Sequence, residues 1–206
     1  MVIAIDGPAG AGKSTVARAV AERLGFTYLD TGAMYRSVAL GAMESGQAPA
    51  QVARDARIEL GERVCLDGRD VTDAIRTPEV SAEASRVARD PDVRAALVAR
   101  QREILADGNW VAEGRDIGLV VAPDAEIKVF LFADPAERAR RRADESGTAA
   151  EAVLREQRDR DERDQTDGRS VLEPAPDAVP VDTTALSVEE VVELIETLVV
   201  EARELT

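Results

Sequence analysis

The stretch Gly7-Pro8-Ala9-Gly10-Ala11-Gly12-Lys13-Ser14 constrains this chain more than any other. Its glycine spacing, closed by a lysine and a serine, is that of a phosphate-binding P-loop, and the reason for the spacing lies in the backbone. Successive N–H groups must curl around an anion, which needs conformations and close approaches that a side chain would block. The run 2–5 before the loop is apolar and rich in β-branched residues, and reads as a strand buried on both faces. After the loop, Val16, Val20 and Leu24 recur at helical spacing, and Gly25 stands where a left-handed C-cap belongs. A helix opening near Lys13 turns its unpaired N–H groups and positive end toward the same anion. Lys13 supplies a full charge to the β and γ oxygens of a triphosphate, and the Ser14 hydroxyl can ligate Mg2+. Residues 7–15, ending at Thr15, are therefore the expected ATP-binding segment, with Ser14 as its metal ligand.

Strands and helices alternate through the rest of the chain. Short strands are expected at 26–29, 110–112, 127–132 and 179–182, the last restricted to an edge or strand end by Pro180. Asp134 can cap a helix whose first residue is Pro135, and Ser187 to Glu190 form a capping-box pattern before a final helix. This alternation implies an α/β fold of P-loop NTPase type, a parallel sheet with helices on both faces. The stretch of about 51–107 has another texture. A helix is expected at 51–63, a hairpin around 64–71 turning at Asp67-Gly68, and a charged helical piece at 78–105 broken at Asp90-Pro91. The expectation is one domain: a core of 1–50 and 108–206, an insert of about 51–107, and a charged helical lid of about 136–169 interrupted at Ser146-Gly147.

Composition removes whole classes of chemistry. The chain has no histidine, so no imidazole base and no histidine-ligated zinc site is available. A formal charge of −14 argues against a nucleic-acid partner, because such proteins carry a basic footprint. No apolar run approaches the ~20 residues of a membrane span, no export signal is read at the start, and Cys65 stands alone. A cytoplasmic protein without a disulfide framework, and a monomer, is expected.

A guanine-binding switch would need an Asn-Lys-x-Asp segment, and neither Lys13 nor Lys128 lies in one. Glu113, closing the expected strand 110–112, can orient water bound to Mg2+ in the crevice at the strand ends. Without histidine, a phosphate acceptor suits the chain better than an alcohol. A phosphate monoester, with a second pKa of about 6, needs no base to activate it. The difficulty becomes repulsion between two polyanions, which arginines and Mg2+ relieve. Candidate arginines are Arg36, Arg115, Arg138, Arg141 and Arg142.

The segments IDGPAGAGKST, LDTGAMYR, DGRDVTDAIRTPEV with the following ASRVA, AEGRD, PDAEIKVFL and PAPDAVPVDTT occur in this order from the first strand to the last. Together the chain resembles the bacterial cytidylate kinases over essentially its whole length. The resemblance implies direct in-line transfer of a phosphoryl group from ATP, with Mg2+, to CMP and dCMP, on a core carrying a small NMP-binding insert and a helical lid. It places Thr31, Arg36 and Arg115 near the CMP phosphate, and Ser85, Arg94 and Asp116 around the cytosine. Cytosine offers an N4 donor that a carboxylate can accept and N3 and O2 acceptors for Arg94 and Ser85, so the assignment is chemically coherent. Asp164 is implied at the ribose and Arg160 at the nucleotide phosphate. Lys13, Arg115 and the lid arginines Arg142 and Arg160 form the expected catalytic group. Where the family usually has an arginine three residues after Asp164, this chain has Asp167, with Arg169 two positions later. Another small-molecule P-loop kinase, acting on UMP, AMP or shikimate, or a module that binds nucleotide without turnover, remains open on the residues alone.

Overall fold

The computed structural model describes residues 1–146, 153–154 and 173–204, with the backbone alone at 142, 145 and 146. In chain order the elements are β1 (Val2–Asp6), α1 (Lys13–Leu24), β2 (Thr27–Asp30), α2 (Thr31–Ser45), α3 (Pro49–Asp55), β3 (Ile58–Leu60), β4 (Val64–Leu66), β5 (Arg69–Asp70), α4 (Pro78–Val87), α5 (Pro91–Leu105), β6 (Trp110–Glu113), β7 (Ile127–Phe132), α6 (Pro135–Ser146), β8 (Val179–Asp182) and α7 (Val188–Glu204). A 3-10 turn (Ala74–Arg76) precedes α4, and a π-helical turn (Ile117–Val121) follows β6. The chain forms two compact units, Met1–Tyr28 with Gly108–Thr206, and Leu29–Asp107. The second opens at Leu29, ahead of the 51–107 insert read from the sequence, because α2 packs with α3 and α4 in one apolar cluster.

The first unit is built on a five-stranded sheet of order β2-β6-β1-β7-β8, flanked by helices. β1 pairs in parallel with β6 and β7, Ile3 facing Val111 on one side and Ile127 on the other. Ile3, Ala4 and Ile5 are wholly buried, as the apolar middle of a central strand requires. On α1 the buried stripe is Val16, Ala17, Val20 and Ala21, and Gly25, at φ 67°, closes the helix. α1 and α7 pack on the side chains of Ile3, Ile5, Val111, Val129 and Leu131. At the start of α7 the Glu190 carboxylate accepts from Ser187 N–H (2.8 Å) while Ser187 Oγ accepts from Glu190 N–H (3.3 Å), the expected capping box. β8 is one of the two edge strands among the described residues, β2 being the other. Thr183 N–H bonds to Phe132 (2.8 Å), so strand alternation aims the Val179 and Val181 amides at β7 and leaves Pro180 facing outward.

The second unit gathers Val38, Val52, Leu66, Ile75, Val80, Val93 and Leu97 into its own core. The helix expected at 51–63 forms only in its first part, as far as Asp55. α3 stops at Asp55, Ala56 turns to ψ 140°, and Ile58–Leu60 becomes a strand paired antiparallel with Val64–Leu66. A strand partner on the far side of the three-residue turn 61–63 outweighs local helix preference there. The hairpin at Asp67-Gly68 is present, with both residues left-handed (φ 51° and 81°), as a type I′ turn demands. The charged piece 78–105 divides at Asp90, whose side chain caps α5 through the N–H groups of Asp92 and Val93.

Candidate active site

The loop between β1 and α1 is shaped by two constraints. Gly7 has φ 144°, and a Cβ there would lie 1.9 Å from the Leu131 carbonyl oxygen, so only glycine fits between the strands. Gly12 caps α1 in the left-handed region, with no side-chain cap and no acidic residue in the first turn. The donors at this helix end are thus not occupied by a capping side chain, the arrangement that favours an anion.

The carbonyl groups of the same loop are engaged by the protein. Arg115 donates to Gly7 (3.2 Å), Lys13 to Pro8 (2.8 Å) and Arg138 to Ala9 (2.9 Å). The Thr183 hydroxyl lies 3.2 Å from the carbonyl of Ala11, and Val16 N–H bonds to Gly12. A loop whose acceptors are bound in this way meets an incoming phosphate with its N–H groups and with three cations. Arg138 is buried, and Arg141 reaches Thr183 Oγ1 (3.2 Å) and the Thr183 carbonyl (2.5 Å), tying α6 to the segment after β8.

Three carboxylates frame this region. Glu113, 4% exposed at the end of β6, accepts from the Ser14 hydroxyl at 2.9 Å and from the Tyr28 hydroxyl on its other oxygen. Asp6 closes β1 and is buried; its two oxygens accept from Ile117 and Gly118 N–H, each at 2.8 Å. Burial pushes the Asp6 carboxyl up to about 6 against the lowering effect of those N–H groups, with Asp116 raising it further and Lys13 lowering it. Asp116 caps the π turn that Asp6 holds, its carbonyl accepting from Val120 N–H (2.8 Å).

The second unit carries the remaining expected residues. Thr31, buried, opens α2, and Asp30 caps that helix through Ala33 N–H (2.8 Å) while accepting from Arg36 (3.0 Å). A Cβ at Gly32 would lie 2.9 Å from Arg36 Nη1, so glycine lets the guanidinium fold back over the helix start. Arg36 Nε is buried without a hydrogen-bond partner among the described residues. Ser85 donates to the Ser81 carbonyl (3.2 Å) on α4, and Arg94, half-buried, lies on α5. The side chain of Arg142, and Arg160, Asp164, Asp167 and Arg169, lie outside the described residues. Tyr28 and Asp6 carried no sequence signal: one is a strand residue of ordinary type, and the other precedes the glycine pattern.

A sequence profile of the family "Cytidylate kinase" matches residues 3–201. The chain belongs to the cytidylate kinase family. It is 52% identical to the cytidylate kinase of Solibacter usitatus, over 95% of this chain and 90% of that one. With the cytidylate kinase of Carboxydothermus hydrogenoformans the identity is 50%, over 93% and 94% of the two chains. Among solved structures it is similar to a gluconokinase from Sinorhizobium meliloti (20% identity, TM-score 0.56, covering 99% and 94% of the two chains). It is also similar to a shikimate kinase from Bacteroides thetaiotaomicron (14% identity, TM-score 0.53, covering 97% and 98% of the two chains). These two likenesses speak to the fold, the flanked parallel sheet expected from the sequence. No helix among the described residues is long and apolar enough to cross a membrane.

Proposed function

We propose that this chain transfers the γ-phosphoryl group of ATP directly to the phosphate of CMP or dCMP, giving CDP or dCDP. The observation that carries the reading is the loop 7–14 of a cytidylate kinase family member, its carbonyls bound by the protein and its helix end uncapped. Residues 7–15 hold the triphosphate, and Lys13, already folded over the loop, brings its charge to the β and γ oxygens. Ser14 Oγ and the Glu113 carboxylate are hard oxygen donors 2.9 Å apart, which suits Mg2+ held partly through water. When bound, that ion neutralises charge between the β and γ phosphates. No group of three or more Cys, Asp or Glu side chains placed to hold a metal ion exists among the described residues.

The acceptor phosphate is largely a dianion at neutral pH, its second pKa being about 6, so the absence of histidine is no obstacle. Thr31, Arg36 and Arg115 are assigned to that phosphate by the family resemblance, and the Asp30–Arg36 ion pair orients one guanidinium beforehand. Asp116 is assigned the cytosine N4 amino group, and Arg94 and Ser85 the N3 and O2 acceptors. The Ser85 proton now goes to Ser81, so serving a cytosine acceptor requires the hydroxyl to turn. Arg142 and Arg160 are assigned to the transferring group, and Asp164 to the ribose.

ADP formation measured against CMP, dCMP, UMP, AMP and shikimate tests the reading. The cytidylates are expected to exceed the others by kcat/KM. A preference for any other acceptor, or ATP binding without turnover, overturns it.

A further inference from the structure

Ser14, Glu113 and Tyr28 form a hydrogen-bonded chain that joins the phosphate loop to β2 by way of β6. We propose that Tyr28 is a positioning residue: its hydroxyl fixes the Glu113 carboxylate so that Glu113 takes the Ser14 proton and leaves the Ser14 lone pairs for the cation that accompanies ATP. The inference rests on the proposed binding of Mg2+ and ATP at the loop.

A serine hydroxyl has one proton and two lone pairs. In the loop of this chain that proton is committed to Glu113 at 2.9 Å, so Ser14 faces any other partner as an acceptor, the state a metal ligand needs. The commitment holds only while Glu113 stays put. The last torsion of a glutamate is broad and gives little intrinsic orientation. Burial at 4% exposure confines the chain, and Tyr28 engages the oxygen that Ser14 does not use. With a hydroxyl on each oxygen, the carboxylate plane is set. Tyr28 is held from its other end, with the Arg18 guanidinium 4.6 Å from the centre of its ring. Glu113 released from Tyr28 can rotate toward the cation and displace the water that Mg2+ retains. Held by Tyr28, it acts through Ser14.

The test uses the full chain and the Tyr28→Phe substitution, which keeps the ring beside Arg18 and removes only the hydroxyl. Binding of a non-hydrolysable ATP analogue is measured by calorimetry with and without Mg2+. The unsubstituted chain is expected to bind more tightly with Mg2+, and Tyr28→Phe to lose about tenfold of that gain while its Mg2+-free affinity stays the same. Added to Ser14→Ala, the same substitution should cost nothing further, because its effect passes through Ser14. Glu113→Gln, which keeps the shape and removes the charge, should show the same Mg2+-specific loss and covers the case of a poorly folded tyrosine variant. Equal weakening with and without Mg2+, or losses that add to those of Ser14→Ala, would overturn the inference. CDP formation by the unsubstituted chain tests the function separately. A chain that forms CDP and keeps its full Mg2+ gain in Tyr28→Phe overturns the positioning role alone, and one that gains nothing from Mg2+ overturns both.

Discussion

Arg115 donates to the carbonyl oxygen of Gly7 across 3.2 Å, and so ties together the turns that follow two adjacent parallel strands, β6 and β1. Asp6 makes the reciprocal tie, from the end of β1 to the π turn after β6. The loop expected to hold the donor phosphates and the residue expected to read the acceptor base, Asp116, are therefore parts of one braced assembly within the first unit.

Lys13→Ala should lower kcat about 100- to 1,000-fold, the range for losing one preorganised charge at a reacting group. CMP affinity measured by calorimetry should change less than twofold, because Lys13 reaches the Pro8 carbonyl within the donor loop. Loss of CMP binding in step with turnover would contradict the assignment.

Asp116→Ala removes an acceptor for the cytosine amino group. A base contact of this kind is worth about 1–3 kcal/mol, so the Kd for CMP should rise several-fold to about a hundredfold while that for ATP moves little. Equal weakening of both nucleotides would show that the substitution only loosens the braced turn.

Gly7→Ala and Gly46→Ala make a matched pair. Both glycines have positive φ, 144° and 70°, yet a Cβ at Gly7 would lie 1.9 Å from the Leu131 carbonyl oxygen while none is met within 4 Å at Gly46. Gly46→Ala should cost about 1 kcal/mol in denaturant unfolding, the ordinary left-handed penalty. Gly7→Ala should cost more than ~4 kcal/mol or abolish the cooperative transition, since the obstacle is backbone of the central sheet.

Asp6 makes stability depend on pH in a predictable sense. Its carboxyl titrates at about 6 in the folded chain against 3.8 for the ordinary group, so between those values the folded state binds more protons than the unfolded one. Stability contributed by the protonated group is complete below 3.8 and is lost as pH rises through about 6. Urea unfolding from pH 7 down to 4 should therefore show the unsubstituted chain gaining on Asp6→Asn by up to about 3 kcal/mol. No pH dependence in that difference would mean that Asp6 does not titrate as a buried group.

What could be read from the amino acids depended on whether a feature is contiguous. The loop 7–14, the cap at Ser187 and the turn at Asp67-Gly68 each lie within a few residues, and the structure forms each of them. The strand at 58–60 was hidden because its partner, 64–66, decides it, and the segment alone reads as helix. Tyr28 and Glu113 are separated by 85 positions and meet only because β2 and β6 are neighbours in the sheet. Arg138 and Arg141 read alike as basic residues of a charged helix. The structure distinguishes them, one supporting the Ala9 carbonyl and the other gripping Thr183.

Pro180 faces away from β7 on β8, one of the two edge strands of the sheet among the described residues, on the side where a further strand would dock. A neighbouring chain aligning itself there would find ring carbons in place of a donor, and could not zip continuously along so short a border. On this flank a single residue interrupts the row of outward donors that edge-to-edge addition of another strand would use.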